Sequence, residues 1–191
     1  MKARYPIASL ILTFALASPA LAQTGVYVSQ IGSGNKATVT QDARSVSGYA
    51  KIEQDGKQNK AEIIQKDGEH QARVMQTGTL NSALVIQDGE AAHRALLSQT
   101  GLNNQIDLAQ TSSIAGQVAT LTQTGEDNQI ALSQSGPANV AELTQTGDRN
   151  LLNLAQSGGG NVTWTQTGND LSSVGLSVDG TQVLVITQTK P

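Results

Sequence analysis

Polar and aliphatic positions alternate along the chain after residue 23, and each alternating segment ends on a glutamine. Asn59, Ala61, Ile63 and Gln65 show the pattern, and comparable glutamines recur at intervals of 10–13 residues. Successive side chains of a β-strand point to opposite faces, so a period of two is typical of a strand that packs one face. The intervening positions carry charged residues and many Ser and Thr, as a solvated face does. The pattern therefore predicts a series of short strands.

Short turns rich in Gly, Asp and Asn separate the predicted strands. A glycine commonly stands two residues after the glutamine that closes a strand, where a tight reversal is expected to need a positive φ. The predicted turn glycines are Gly32, Gly56, Gly78, Gly101, Gly125, Gly136, Gly147, Gly158 and Gly168.

Two kinds of strand alternate. Every second strand opens its packed face with asparagine, and the others open with a varied set. The first kind begins at Asn35, Asn59, Asn81, Asn104, Asn128 and Asn150, and the second at Thr24, Gly48, His70, His93, Gln117 and Asn139. The repeating unit is therefore a strand-turn-strand rung of about 22 residues, present about seven and a half times. We predict an all-β solenoid with two strands per rung, stacked at about 4.8 Å into two parallel, amyloid-forming cross-β sheets.

Amide side chains recur on the packed face, where an unpaired one costs about 1–3 kcal/mol. Stacked rungs place like residues above like, so each amide can bond to its copies in the neighbouring rungs. We therefore expect these side chains to form ladders that hold the rungs together and carry assembly. The predicted ladder residues are Gln30, Asn35, Gln41, Gln54, Asn59, Gln65, Gln76, Asn81, Gln87, Gln99, Asn104, Gln110, Gln123, Asn128, Gln134, Asn139, Gln145, Asn150, Gln156, Gln166 and Gln188.

The order loosens near the C-terminal end. Asn161 falls out of phase with Gln166 in the alternation. We expect a degenerate strand next, with a packed face formed by Leu171, Ser173, Gly175 and Ser177. Gln182, Leu184, Ile186 and Gln188 then restore the pattern. Both ends of the stack are expected to be uncapped edges, which favours addition of another chain.

Composition argues against an ordinary globular domain. Aromatic residues make up 3% of the chain, with one Trp and one Phe, which leaves little to fill a conventional core. Cysteine is absent, so a disulfide framework is excluded. The formal net charge of −3 becomes −5 if Lys2 and Arg4 are removed, which is not the balance of a nucleic-acid-binding protein.

The first 22 residues have the layout of a secretory signal peptide. Lys2 and Arg4 precede an apolar run at 7–17, and small residues lead to Ala22. The run is too short for a permanent membrane helix. We expect cleavage after Ala22, leaving residues 23–191 as one exported repeat domain without a membrane span.

Other chemistry has weaker support. His70 and His93 occupy the same packed position in consecutive rungs, but two ligands are too few for a metal site. Turn aspartates such as Asp42 fit turn propensity better than a calcium site. Trp164 takes the place of a packed aliphatic residue. We therefore expect no enzyme, cofactor or metal site.

The segment QIGSGNKATVTQ at residues 30–41 resembles the curlin repeat, QxGxGNxAxxxQ, of bacterial curli amyloid subunits. Looser copies follow at 54–65 and 76–87, and Ile106 and Ile130 replace the alanine further on. The resemblance covers residues 24–188. It implies a secreted subunit that crosses the outer membrane through the curli secretion and assembly machinery. It also implies stacking with itself or another curlin subunit into cell-surface fibres of the biofilm matrix, which serve adhesion.

The role within that family stays open at this point. The repeats begin directly after the predicted leader, as expected of the minor, nucleating subunit. That subunit tends to carry a basic final repeat, however, and Lys190 is the only basic residue of the final repeat here. A monomeric solenoid that displays its outward face as an adhesin or an ice-binding surface is the alternative of another class. The outward residues mix Lys, Glu, Arg, Ser and Thr, which favours assembly.

Overall fold

The computed structural model describes residues 12–14, 25–45, 48–173 and 175–190, and every helix or strand within them is a β-strand. The strands are β1 Leu12–Phe14, β2 Gly25–Ser33, β3 Lys36–Gln41, β4 Tyr49–Lys57, β5 Lys60–Lys66, β6 Gln71–Thr79, β7 Ser82–Asp88, β8 Arg94–Leu102, β9 Gln105–Thr111, β10 Val118–Glu126, β11 Gln129–Ser135, β12 Val140–Thr146, β13 Leu151–Ser157, β14 Asn161–Thr167, β15 Leu176–Asp179 and β16 Val183–Thr189.

Strands alternate between two sheets. The odd-numbered strands form sheet A and the even-numbered strands form sheet B, each with eight strands in chain order. Neighbours within a sheet are parallel and in register, so that Gln123 lies between Gln99 and Gln145. Seven successive pairs, from β2–β3 to β14–β15, are the rungs, and β16 follows them. The predicted two-strand-per-rung β-solenoid is confirmed.

The core is a thin aliphatic layer between the sheets. Ala72 and Val74 of β6 and Ala83 and Val85 of β7 are buried, whereas Arg73 points outward and is exposed. Two small or medium aliphatics per strand fill this layer in almost every rung, which explains why the chain needs so few aromatic residues.

All nine predicted turn glycines have a positive φ. Gly56 shows why a side chain is not tolerated there. Its φ is 127°, and a Cβ would lie 1.9 Å from the carbonyl oxygen of Gly78 in the next rung. The turns therefore stack backbone on backbone, as closely as the strands do.

The predicted phase of the degenerate strand is wrong in its second half. Ser173 is buried as expected, but Gly175 and Ser177 are exposed. Ser172 bridges to Leu151, and Leu176 pairs with Leu154. Three residues separate Ser172 from Leu176, but only two separate their partners in β13. An extra residue of this kind is a bulge, and it turns Leu176 and Val178 toward the core. Asn161 is exposed, in agreement with its predicted phase slip.

Leu12–Phe14 lies within the predicted signal peptide and pairs in parallel with residues 37–39 of β3. The remainder of that segment lies outside the described residues, so the leader and its cleavage site stay predictions. No helix among the described residues is long and apolar enough to cross a membrane.

Candidate functional site: amide ladders inside the solenoid

A glutamine ladder runs along the whole of sheet B. Each side-chain amide nitrogen donates to the Oε1 of the glutamine in the next rung, at 2.5–3.0 Å over seven consecutive bonds. The members are Gln30, Gln54, Gln76, Gln99, Gln123, Gln145, Gln166 and Gln188. The six between Gln30 and Gln188 are buried, so each rung is tied to both neighbours inside the core.

A second ladder runs along sheet A and stops before the last strand. Gln41, Gln65, Gln87, Gln110, Gln134 and Gln156 are joined by five bonds of 2.6–2.9 Å. Val178 occupies the next position in register, opposite Gln156. Gln156 donates instead to the backbone carbonyl of Gly160 at 3.3 Å. The two ladders therefore differ at the C-terminal end.

The second amide hydrogen fixes the direction of the ladders. Gln76 also donates to the backbone carbonyl of Lys60 in the opposite sheet at 2.9 Å, and Gln110 donates to that of Arg94 at 3.2 Å. Since only the nitrogen can donate to these carbonyls, Oε1 must face the preceding rung. Each ladder is thus polar, with oxygens toward the N-terminal end and nitrogens toward the C-terminal end.

The asparagines bond mainly to backbone groups. Asn104 illustrates the pattern: its Oδ1 accepts the backbone N–H of Asn128 at 3.1 Å, and its Nδ2 donates to the carbonyl of Gly125 at 2.8 Å. The column comprises Asn35, Asn59, Asn81, Asn104, Asn128 and Asn150, and Leu171 donates to Asn150 at its end. These asparagines therefore hold the turn glycines of the next rung.

The glycine carbonyl partners were not foreseen from sequence. A signal was present, because each of these asparagines stands three residues after a turn glycine, as Asn128 does after Gly125. Asn139 belongs to the other column, where it accepts the backbone N–H groups of Gly159 and Gly160 at 3.0 and 3.2 Å.

His70 and His93 form a stacked pair in that other column. Their ring centroids are 4.8 Å apart with an interplanar angle of 4°, and both residues are buried. Nδ1 of His70 accepts the backbone N–H of His93 at 3.2 Å, and Nε2 lies 2.7 Å from the carbonyl of Lys66. Since Nδ1 is an acceptor, Nε2 carries the proton and the ring is neutral.

His93 repeats this arrangement with the backbone N–H of Gln117 and the carbonyl of Asp88. Burial lowers the pKa of both imidazoles, and this effect outweighs the hydrogen bonds from Nε2 to the backbone, which raise the pKa. Nδ1 of each ring therefore bonds to the next rung, and Nε2 bonds to a carbonyl of the residue's own turn. Among the described residues no group of three or more His, Asp or Glu side chains is placed to hold a metal ion.

Trp164 lies at an inward position of β14 and is buried. Its indole N–H donates to Oε1 of Gln188 at 3.2 Å, alongside the bond from Gln166 at 2.7 Å. Trp164 thereby helps to fix the last glutamine of the sheet B ladder.

Residues 125–158 match the family model of the curlin associated repeat. The matched segment contains β11, β12 and β13 with six of the predicted ladder residues, Asn128, Gln134, Asn139, Gln145, Asn150 and Gln156. This segment therefore carries the curlin associated repeat. The same register of glutamine on glutamine continues on either side of the matched residues, from β2 to β14. No curated protein and no solved structure matches the chain.

Proposed function

We propose that this chain is a secreted structural subunit of curli-type extracellular amyloid fibres, with a structural and not an enzymatic role. The observation that carries the proposal is the polar glutamine ladder of sheet B. It runs without interruption to both outer strands of the sheet, β2 and β16.

The outer strands resemble interior strands that lack a neighbour. Among the described residues β2 pairs with β4 alone and β16 with β14 alone. Val28 and Ile186 occupy inward positions there but are only partly buried, whereas their counterpart Leu121 in β10 is fully buried. An open parallel edge of this kind is a template for pairing with another chain.

The polarity of the ladder supports head-to-tail stacking. Gln30 presents Oε1 at the N-terminal edge, and Gln188 presents its amide nitrogen at the C-terminal edge. Gln188 of one copy can therefore donate to Gln30 of the next and continue the ladder. A head-to-head contact would place two carbonyl oxygens together and leave both without a donor.

A minor, nucleating role is the second candidate. Val178 ends the sheet A ladder one strand early, so the C-terminal edge offers one continuous ladder and not two. The two ends of such a subunit differ, and only the N-terminal end, which carries both ladders, would be a complete template for a major subunit. This role also accords with repeats that follow the predicted leader directly.

The proposed location is the cell surface. Export through the predicted leader, secretion by the curli assembly machinery of the outer membrane, and incorporation into biofilm fibres are parts of the same proposal. Adhesion would follow from display of the outward faces of the sheets.

Residues 23–191, purified under denaturing conditions and returned to buffer, test the proposal. We expect rising thioflavin T fluorescence and fibres with a meridional reflection near 4.8 Å. A chain that stays monomeric for days with no such reflection would overturn the proposal. If trace amounts abolish the lag phase of a major curlin subunit while the chain polymerises little by itself, the nucleating role is supported.

A further inference from the structure

The outward face of sheet B carries a regular array of threonines in its C-terminal half. In each of β10, β12, β14 and β16 the inward ladder glutamine stands between two outward threonines. We call this set the threonine face; it comprises Thr122, Thr124, Thr144, Thr146, Thr165, Thr167, Thr187 and Thr189. The eight residues lie in two columns, with every threonine in register with the one in the next strand.

The two columns form a rigid two-dimensional lattice. Adjacent strands are about 4.8 Å apart, and alternate residues of one parallel strand are about 6.6 Å apart. Threonine is β-branched, so its χ1 has little freedom in a strand. The glutamine ladder lies directly beneath and fixes the spacing between strands. Within the described part of the chain, none of the eight hydroxyls makes a hydrogen bond to protein.

The array is not a general consequence of strand composition. In sheet A the outward residues on either side of the ladder glutamines are Ala109 and Thr111, Ser133 and Ser135, and Ala155 and Ser157. In the N-terminal half of sheet B, the pair in β4 is Glu53 and Asp55. Paired threonines are therefore confined to four consecutive strands of one sheet.

We propose that the threonine face binds ice. An uncharged lattice of hydroxyl and methyl groups can hold water molecules at fixed positions, and its two spacings are close to repeats of the oxygen lattice in hexagonal ice. Waters held in this way would join the face to an ice crystal through many weak hydrogen bonds at once. This inference does not depend on polymerisation, although a fibre would carry many copies of the face.

Other occupants fit less well. Two columns across four strands cover only about 200 Å², whereas a stable contact with a second copy needs about 800 Å² per partner. Within β10, β12, β14 and β16, the outward residues include no aromatic ring on which a sugar could stack. The face itself offers no charge to attract an ionic partner.

The test compares ice growth in the presence of the full chain and two double variants, each as monomer and as fibre. Thr146→Lys with Thr167→Lys places two bulky charges at the centre of the threonine face. Thr111→Lys with Ser135→Lys is the matched control, because these exposed residues also follow ladder glutamines but lie in sheet A. Circular dichroism checks that all three proteins keep their strands.

We expect the unmodified protein and the sheet A control to inhibit ice recrystallisation and to shape ice crystals. The threonine-face variant should behave like buffer. No effect of the unmodified protein on ice, or equal loss in both variants, would overturn the proposal. Loss of fibre bundling in the threonine-face variant without any effect on ice would assign the face to contact between fibres. Binding of a crystalline polysaccharide but not of ice would assign the face to sugar. Either result would also overturn the proposal.

Discussion

Gln99 donates its side-chain amide to Oε1 of Gln123 across 3.0 Å, and Gln123 donates in turn to Gln145 across 2.9 Å, with all three side chains buried. The bonds between rungs are therefore made inside the core and not only along the backbone. A buried polar group that loses its partner costs about 1–3 kcal/mol, so the middle of the ladder is where a truncation should be felt most.

Gln123→Ala is expected to lower the free energy of unfolding by about 2–5 kcal/mol. The substitution removes one of the two acceptors of the Gln99 amide nitrogen, which keeps its bond to the carbonyl of Ser82, leaves the Oε1 of Gln145 without its donor and opens a cavity. Urea unfolding of the freshly isolated monomer, followed by circular dichroism, measures the loss. Thr122→Ala is the control, because Thr122 is the outward neighbour on the same strand, and it should cost less than about 1 kcal/mol. Equal losses would contradict a structural role for the ladder.

The stacked histidines predict loss of stability in mild acid. Burial lowers the pKa of His70 and His93 in the folded chain below the ordinary value of about 6.5. The unfolded chain then binds more protons than the folded chain, so stability is complete above pH 6.5 and decreases as the pH falls below it. Protonation would also remove both Nδ1 acceptors and place two charges 4.8 Å apart.

Several charged groups surround this pair. Asp42, Asp67 and Asp88 favour the protonated form of His70, and Asp88 favours that of His93, while His70 disfavours protonation of His93. These carboxylates reduce the effect but do not reverse its direction.

Urea midpoints at pH 7.5 and pH 5 measure the histidine effect. His70→Gln with His93→Gln is the control, because Gln117 fills the same position in the next rung. The double variant should lose most of the difference between the two midpoints. A midpoint difference that is unchanged in the double variant would assign the acid sensitivity to the carboxylates.

Gly56→Ala tests the close stacking of the turns. The new methyl group would meet the carbonyl of Gly78 at 1.9 Å in addition to adopting an unfavourable φ, so we expect a loss of more than about 3 kcal/mol. Gly180→Ala separates the two causes, since Gly180 has a φ of 80° with nothing within 4 Å of the added atom. That change should cost about 1 kcal/mol. Thermal unfolding of both variants makes the comparison, and similar losses would mean that backbone conformation alone is responsible.

Most of the fold follows from a strict pattern. The register of β4 on β6 was predictable because Ala50, Ile52 and Gln54 repeat as Ala72, Val74 and Gln76, and a shift by one residue would expose every one of them. The positions of the ladder glutamines follow for the same reason. A period of two and a fixed spacing were sufficient without any knowledge of the turns.

The phase of β15 could not be predicted in the same way. Between Leu171 and Val178 both alternating faces contain an aliphatic residue, so either phase buries apolar surface, and the choice depends on a bulge. The glycine carbonyl partners of the asparagines were also missed, although the constant spacing of three residues from turn glycine to asparagine carries a signal for them. Stacking of His70 on His93 followed from the register, but which ring nitrogen donates depends on turn carbonyls that only the structure places.

The central claim is that copies stack head to tail through β16 and β2, and engineered disulfides test it directly. The chain contains no cysteine, and Ser29 and Thr187 are the outward, exposed residues next to Gln30 and Gln188. In a continued sheet B these two residues of neighbouring copies would be adjacent at about 4.8 Å, within the range of a disulfide.

The decisive measurement is non-reducing electrophoresis of oxidised fibres grown from the double variant Ser29→Cys with Thr187→Cys. We predict a ladder of covalent multimers that collapses to monomer on reduction, whereas fibres of either single variant should give no ladder. Fibres of the double variant that stay monomeric on the gel would contradict head-to-tail stacking. So would a ladder formed instead by Thr40→Cys with Thr187→Cys, because it would place sheet A of one copy on sheet B of the next.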